Sequence, residues 1–205
     1  MKQLFALLAA GLVSIAASAA QDVPELGTPG DAAAGKAKSM TCAGCHGADG
    51  NSPTGAWPKL AGQHESYIAD QLAAFKSKER DNALMYGFAA ALSEQDMKDL
   101  GAYFESQAIA PGTADPALVD AGEQIYKYGL ADRGVAACQA CHGPQGLGVA
   151  SALFPRLSGQ WAEYTETQLK AYRDGSRQHP MMNGVALNMR DSDIQAVASY
   201  IQGLR

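Results

Sequence analysis

The apolar residues of this chain recur at helical rather than strand spacing. Over residues 64–78, Tyr67, Ile68, Gln71, Leu72 and Phe75 line up at i, i+4 intervals, which predicts one amphipathic helix. Further on, Ser93-Glu94-Gln95-Asp96 resembles a capping box, and Met97, Leu100 and Phe104 follow it as a second stripe. Ile194, Val197 and Ile201 repeat that stripe near the C-terminus. Asp31 can cap another helix over residues 32–41. No stretch alternates as a half-buried strand would, so the predicted fold class is all-α.

The N-terminal pattern is different. Lys2 precedes an apolar run over residues 4–17, and Ala17-Ser18-Ala19 has the small-x-small form of a cleavage site. Residues 1–20 therefore read as a secretory signal peptide, cleaved near Ala19 or Ala20. The run is short and rich in Ala and Gly, whereas a membrane span needs about 20 apolar residues. No later stretch could cross a bilayer. The mature chain is expected to be exported and soluble, which in a bacterium means the periplasm.

The pattern also repeats. Trp57-Pro58-Lys59-Leu60-Ala61-Gly62-Gln63 returns 97 positions later as Phe154-Pro155-Arg156-Leu157-Ser158-Gly159-Gln160. The register then holds without a gap: Tyr67 matches Tyr164, Gln71 matches Gln168, Arg80 matches Arg177, Met85 matches Met182, and Tyr103 matches Tyr200. Two tandem domains follow, over residues 21–110 and 111–205. The join lies at Ile109-Ala110-Pro111-Gly112, where Pro, Gly and small residues break helix. Domains of this size bury a small core, so each is expected to need a further apolar centre, and the apoprotein to fold poorly.

Charge narrows the field of partners. Residues 21–110 carry 7 Lys/Arg and 12 Asp/Glu, net −5, and residues 111–205 carry 8 and 9, net −1. This balance argues against nucleic acid and against charge-driven binding to an anionic membrane.

The candidate chemistry is in the cysteines. All four fall in two copies of Cys-x-x-Cys-His: Cys42-Ala43-Gly44-Cys45-His46 and Cys138-Gln139-Ala140-Cys141-His142. This spacing is the attachment signature of c-type haem, in which two thiols add to the two vinyl groups and the adjacent His ligates the iron. Disulfides, a thioredoxin-like redox site and a zinc site compete with it. The redox site lacks its βαβ context, and the Cys pairs stand 96 residues apart, too far for a compact zinc motif. Two covalently bound haem c groups are the leading reading.

A second axial ligand must come from elsewhere. His64 matches Trp161 and His179 matches Asn82, so neither remaining histidine repeats, and both read as surface or loop residues. Met85 and Met182 do repeat, 39 and 40 residues after His46 and His142. A thioether is a soft ligand that favours reduced iron. Core packing is the alternative role for these residues, but both lie in loop-like stretches. Met181 rivals Met182 in the second domain. Pro58 and Pro155 follow the motif histidines by 12 and 13 residues, and a carbonyl near each could accept the second imidazole proton; a plain turn proline is the competing reading.

With these residues in view, each half resembles a class I cytochrome c, and the pair resembles the dihaem cytochrome c4 family. Cys-Ala-Gly-Cys-His-Gly, Asp49-Gly50-Asn51-Ser52-Pro53, the two Pro-containing segments and Ala198-Ser199-Tyr200-Ile201-Gln202-Gly203-Leu204 carry the resemblance, which spans residues 31–205. It implies His/Met ligation at both irons and a Pro carbonyl behind each His. It also implies helix crossings at Gly35 and Gly122 against Tyr103 and Tyr200, and two domains related by a pseudo-twofold axis.

The function implied is electron transfer between respiratory partners, with a quinol-oxidising complex as donor and a membrane-bound terminal oxidase as acceptor. Any membrane association would then be peripheral, through those partners. No catalytic residues are expected. The alternative is a dihaem enzyme, or the haem subunit of one, acting on a small sulfur compound or peroxide. The charge difference further predicts a lower potential for the haem on His46, because nearby carboxylates stabilise the oxidised iron.

Overall fold

The computed structural model describes residues 28–205. The predicted signal peptide, residues 1–20, lies outside the described residues. The N-terminal half consists of α1 (Ala32–Lys38), α2 (Ala43–His46), α3 (Glu65–Ser77), α4 (Ala83–Ala89) and α5 (Glu94–Glu105). The C-terminal half repeats the order as α6 (Val119–Tyr128), α7 (Gln139–His142), α8 (Ala162–Asp174), α9 (Met182–Ala186) and α10 (Asp191–Gly203). Among the described residues the only β pairings are two isolated antiparallel bridges, Leu130 with Val135 and Val149 with Phe154. The first lies in the approach to the second motif, where Gly122 to Cys138 is 16 positions against 7 from Gly35 to Cys42; the second lies in the loop from His142 to Pro155, one residue longer than that from His46 to Pro58.

Local chemistry sets the helix ends. The Asp31 carboxylate accepts from the amides of Ala33 and Ala34 and starts α1. The helix predicted over residues 32–41 ends at Lys38 and tightens into a 3₁₀ turn over Ser39–Thr41. The capping box at α5 forms as expected: the Ser93 hydroxyl accepts from the Asp96 amide, and the Asp96 carboxylate accepts from the Ser93 amide at 2.9 Å. α3 and α8 both end on a residue in the left-handed region. At α8 that residue is Gly175 (φ 81°), whereas at α3 it is Lys78 (φ 66°), where a side chain adds strain.

Each half has its own apolar core. Ile68, Leu100, Tyr103 and Phe104 pack together in the first. Ile125, Tyr126, Val135, Met189, Ile194, Val197 and Ile201 pack in the second. In both halves the first helix crosses the last, α1 on α5 and α6 on α10. The crossings occur at Gly35 and Gly122. A Cβ on Gly35 would collide with the Asp99 carbonyl and lie 2.9 Å from the Tyr103 Cβ; one on Gly122 would collide with the Ala196 carbonyl and lie 2.6 Å from the Tyr200 Cβ. Asp99 adds a polar tie across the first crossing, accepting from the Asp31 amide at 2.9 Å and from Lys38 Nζ at 2.6 Å. Those donors hold its carboxyl at a pKa of about 2.

The halves meet through reciprocal hydrogen bonds. Gln63 donates to the Arg156 carbonyl at 3.0 Å and accepts from the Arg156 amide at 2.8 Å. Its repeat partner Gln160 does the same to Lys59, at 2.9 Å in both directions. Across the connecting segment the hydrogen bonding changes sides. Asn51 holds Ala108 and Ala110 to the N-terminal half, at 3.0 and 2.8 Å. Gln202 and Ser199 hold Thr113 and Asp115 to the C-terminal half, both at 2.8 Å.

Replacing Gly35 or Gly122 by Ala should cost about 1–3 kcal/mol, the range for overpacking a tight contact. Thermal or denaturant unfolding of the holoprotein measures this, with the exposed Gly87→Ala as control, where an added Cβ meets nothing within 4 Å.

Candidate haem-attachment sites

α2 and α7 are single helical turns, so each places a Cys pair and its His on one short rigid element. Gly47 (φ 80°) and Gly143 (φ 79°) turn the chain sharply away after the histidine. Cys42 and Cys138 pack against the first and second cores. Burial raises both thiol pKa values, that of Cys138 to about 12. Cys141 is exposed and Cys45 half-buried, and all four are free of disulfides.

The histidines are buried and tightly oriented. His46 Nδ1 lies 2.8 Å from the Pro58 carbonyl, and His142 Nδ1 lies 2.9 Å from that of Pro155. A carbonyl only accepts, so the proton sits on Nδ1 and the Nε2 lone pair is left available. Burial lowers both pKa values, against the opposing pull of the carbonyls, and favours the neutral ring. Neutral imidazole with a fixed tautomer is the form that ligates a metal. Pro58 and Pro155 are thus acceptors as well as turn residues. Cys pairs on one turn beside such a histidine fit a covalently attached haem.

The two methionines occupy equivalent places, on helices and not in the loops expected from sequence. Met85 lies on α4, which packs on α3; Met182 opens α9, which packs on α8. Both helix starts are capped from one repeat position. Asn82 Oδ1 accepts from the Met85 amide at 2.9 Å, while His179 Nδ1 lies 3.3 Å from the amides of Met181 and Met182. Met181 is 47% exposed, whereas Met182 is half-buried. His179, read as a surface or loop residue, does lie in a loop, and there it is the second domain's counterpart of the Asn82 cap.

His64 lies in the loop before α3, as read, but has a contact role as well. It bridges the halves, with Nε2 at 2.8 Å from the Leu147 carbonyl and Nδ1 at 3.3 Å from Glu105. Tyr67 and Gln71, read as part of an apolar stripe, face the other half as well. Arg177 donates to the Tyr67 hydroxyl at 3.1 Å and to Gln71 at 2.7 Å. Arg80 reciprocates on Tyr164 and Gln168, at 2.9 and 2.8 Å. Burial opposes ionisation of Tyr164, yet the charges of Arg80 and Arg177 outweigh it and hold the phenol below its usual pKa. The signal in the sequence was the pairing of Arg80 with Arg177: charged residues that repeat in register just beyond the ends of α3 and α8.

Fold and site together define a tandem pair of c-type haem domains. The cytochrome c family model matches residues 32–108 and again 119–205. Cytochrome c4 of Pseudomonas aeruginosa is 46% identical over 179 residues, covering 85% of this chain and 89% of that protein. The crystal structure of reduced recombinant cytochrome c4 from Pseudomonas stutzeri superposes with a TM-score of 0.83 at 44% identity, covering 86% of this chain and 100% of that one. A thiosulfate dehydrogenase electron acceptor of Stutzerimonas stutzeri is 39% identical over 200 residues, covering 94% of this chain and 90% of that protein. The chain belongs to the cytochrome c family and, within it, to the dihaem cytochrome c4 family. It carries two covalently bound haem c groups and transfers electrons between redox partners.

Mass spectrometry of the mature holoprotein should find two haem additions that survive denaturation. Changing Cys42 and Cys45 together to Ala should remove one of them and leave the other.

Proposed function

We propose that this protein is a periplasmic electron shuttle of a respiratory chain, with His46 and Met85 as axial ligands of the first haem iron and His142 and Met182 of the second. The observation that carries the ligand assignment is the pair of Nδ1–H···O=C bonds from His46 to Pro58 and from His142 to Pro155, at 2.8 and 2.9 Å. When bound, each haem supplies a one-electron ferric/ferrous couple. The surrounding side chains keep the geometry constant through that change. The carbonyl bonds stop ring rotation and raise the donor strength of Nε2. The Asn82 and His179 caps fix the helix starts that carry Met85 and Met182. Two axial ligands at each iron would leave no coordination position for a substrate, which favours a carrier over an enzyme.

Two guanidiniums, Arg80 and Arg177, stand at the contact between the halves with no carboxylate in ion-pair reach among the described residues; they suit the haem propionates as counter-charges. We place the domain boundary between residues 110 and 111, where hydrogen bonding passes from Asn51 to Gln202 and Ser199. No helix among the described residues is long and apolar enough to cross a membrane, consistent with a shuttle running from a quinol-oxidising complex to a membrane-bound terminal oxidase. A second reading changes the donor: the likeness to a thiosulfate dehydrogenase electron acceptor favours a dehydrogenase of a small sulfur compound in that role.

Met85→Ala and Met182→Ala should each abolish the far-red methionine-to-ferric-iron band of one haem and lower its potential, while Met181→Ala leaves both bands intact. Loss of the band in Met181→Ala alone would place the second ligand one residue earlier.

A domain-resolved redox titration at low salt should find the lower potential on the His46 haem, since residues 21–110 carry net −5 against −1 for residues 111–205. The gap should narrow as salt screens charges beyond about 8–10 Å.

A further inference from the structure

The contact between the halves is asymmetric where Trp161 and His64 occupy equivalent repeat positions. On one side Trp161 covers the buried ammonium of Lys59, 4.2 Å from the ring centroid. Lys59 Nζ also donates to the carbonyls of Gly159, at 3.1 Å, and Ala110. That cation is fully engaged. The repeat partners of Trp161 and Lys59 are His64 and Arg156. Here the smaller imidazole leaves an open cleft of about 540 Å³, lined by Gly62, His64, Glu105, Gln107, Leu147 and Arg156.

The one carboxylate lining this cleft is Glu105, and it forms no ion pair with Arg156. The Arg156 guanidinium pairs with no carboxylate among the described residues, and its Nε is buried without an acceptor. Loss of water lowers its pKa, with no neighbouring charge to offset the effect. Glu105 is already committed: one oxygen faces His64 Nδ1 at 3.3 Å, and the other accepts from the Glu65 amide at 3.2 Å. A partly buried cation left unpaired is costly, and a bound ion is one way to satisfy it. A guanidinium fork is the donor set for a carboxylate-like or tetrahedral oxyanion.

We propose that this cleft binds a small inorganic oxyanion on Arg156, and that occupancy lowers the potential of the second haem. Arg156 directly follows Pro155, whose carbonyl accepts from His142 at 2.9 Å. A positive charge there favours the reduced iron, and an anion cancels it. The second half of the proposal rests on His142 as axial ligand; the binding itself does not.

Isothermal calorimetry of the dihaem holoprotein with sodium sulfate, against sodium chloride at matched ionic strength, tests the site. One saturable site is expected, weakened about ten-fold or more, equivalent to roughly 1.4 kcal/mol, in Arg156→Gln. His64→Trp should weaken it similarly by rebuilding the packing seen between Trp161 and Lys59. A parallel redox titration should find the His142-haem midpoint lowered by sulfate in the unmodified protein, and lowered less at the same sulfate concentration in both variants. No saturable sulfate binding, or equal affinity in both variants, overturns the site. Binding that leaves the His142-haem midpoint in place overturns the redox coupling.

Discussion

Two short segments, each running from a proline to a glutamine, hold this structure together. At one end, the carbonyls of Pro58 and Pro155 lock the motif histidines into a single tautomer and orientation. One and five residues further on, Lys59 with Gln63, and Arg156 with Gln160, form the reciprocal amide contacts that join the halves. The anchor of the motif histidine and the domain contact are therefore parts of one loop. A shift at the interface is felt by the histidine, and a rotation of the histidine would disturb the interface. Domains this small gain limited stability from their own cores, so this shared scaffold has a large structural share.

The helices were legible because their causes are local. The Ser93 capping box, the Asp31 cap and the i, i+4 stripes each need only a few neighbouring residues, and all of them form. The haem motif is equally local, being one turn of helix. What lies between the halves was less legible. Gln71 and Tyr67 sit in the same helical stripe as Ile68 and Leu72, and periodicity alone cannot separate a residue facing its own core from one facing the other domain. His64 and His179 failed to repeat and so read only as surface or loop residues. The role of His64 depends on a distant segment, Leu147, whereas that of His179 is local, on the amides of Met181 and Met182.

Where the two copies differ, the structure shows local compensation. The one-residue insertion after the second motif is absorbed by the bridge between Val149 and Phe154. The long approach to that motif closes on Leu130 and Val135. Tyr103 donates to the Ala48 carbonyl behind the first motif at 2.8 Å; behind the second, Tyr126 on the opposite helix donates to Gly143 at 2.7 Å. The anchor is kept while its source moves from the last helix to the first.

The reciprocal contacts have a consequence for ancestry. A surface on which Gln63 grasps Arg156 while Gln160 grasps Lys59 is self-complementary, the hallmark of a twofold homodimer. In physical terms the protein is such a dimer written on one strand. Joining the copies replaces a concentration-dependent encounter with a permanent one, and it releases each surface from having to match itself. Trp161 and His64 are the product of that release: a single-domain ancestor carrying one residue at this position could not have placed a large ring on one side and a small one on the other.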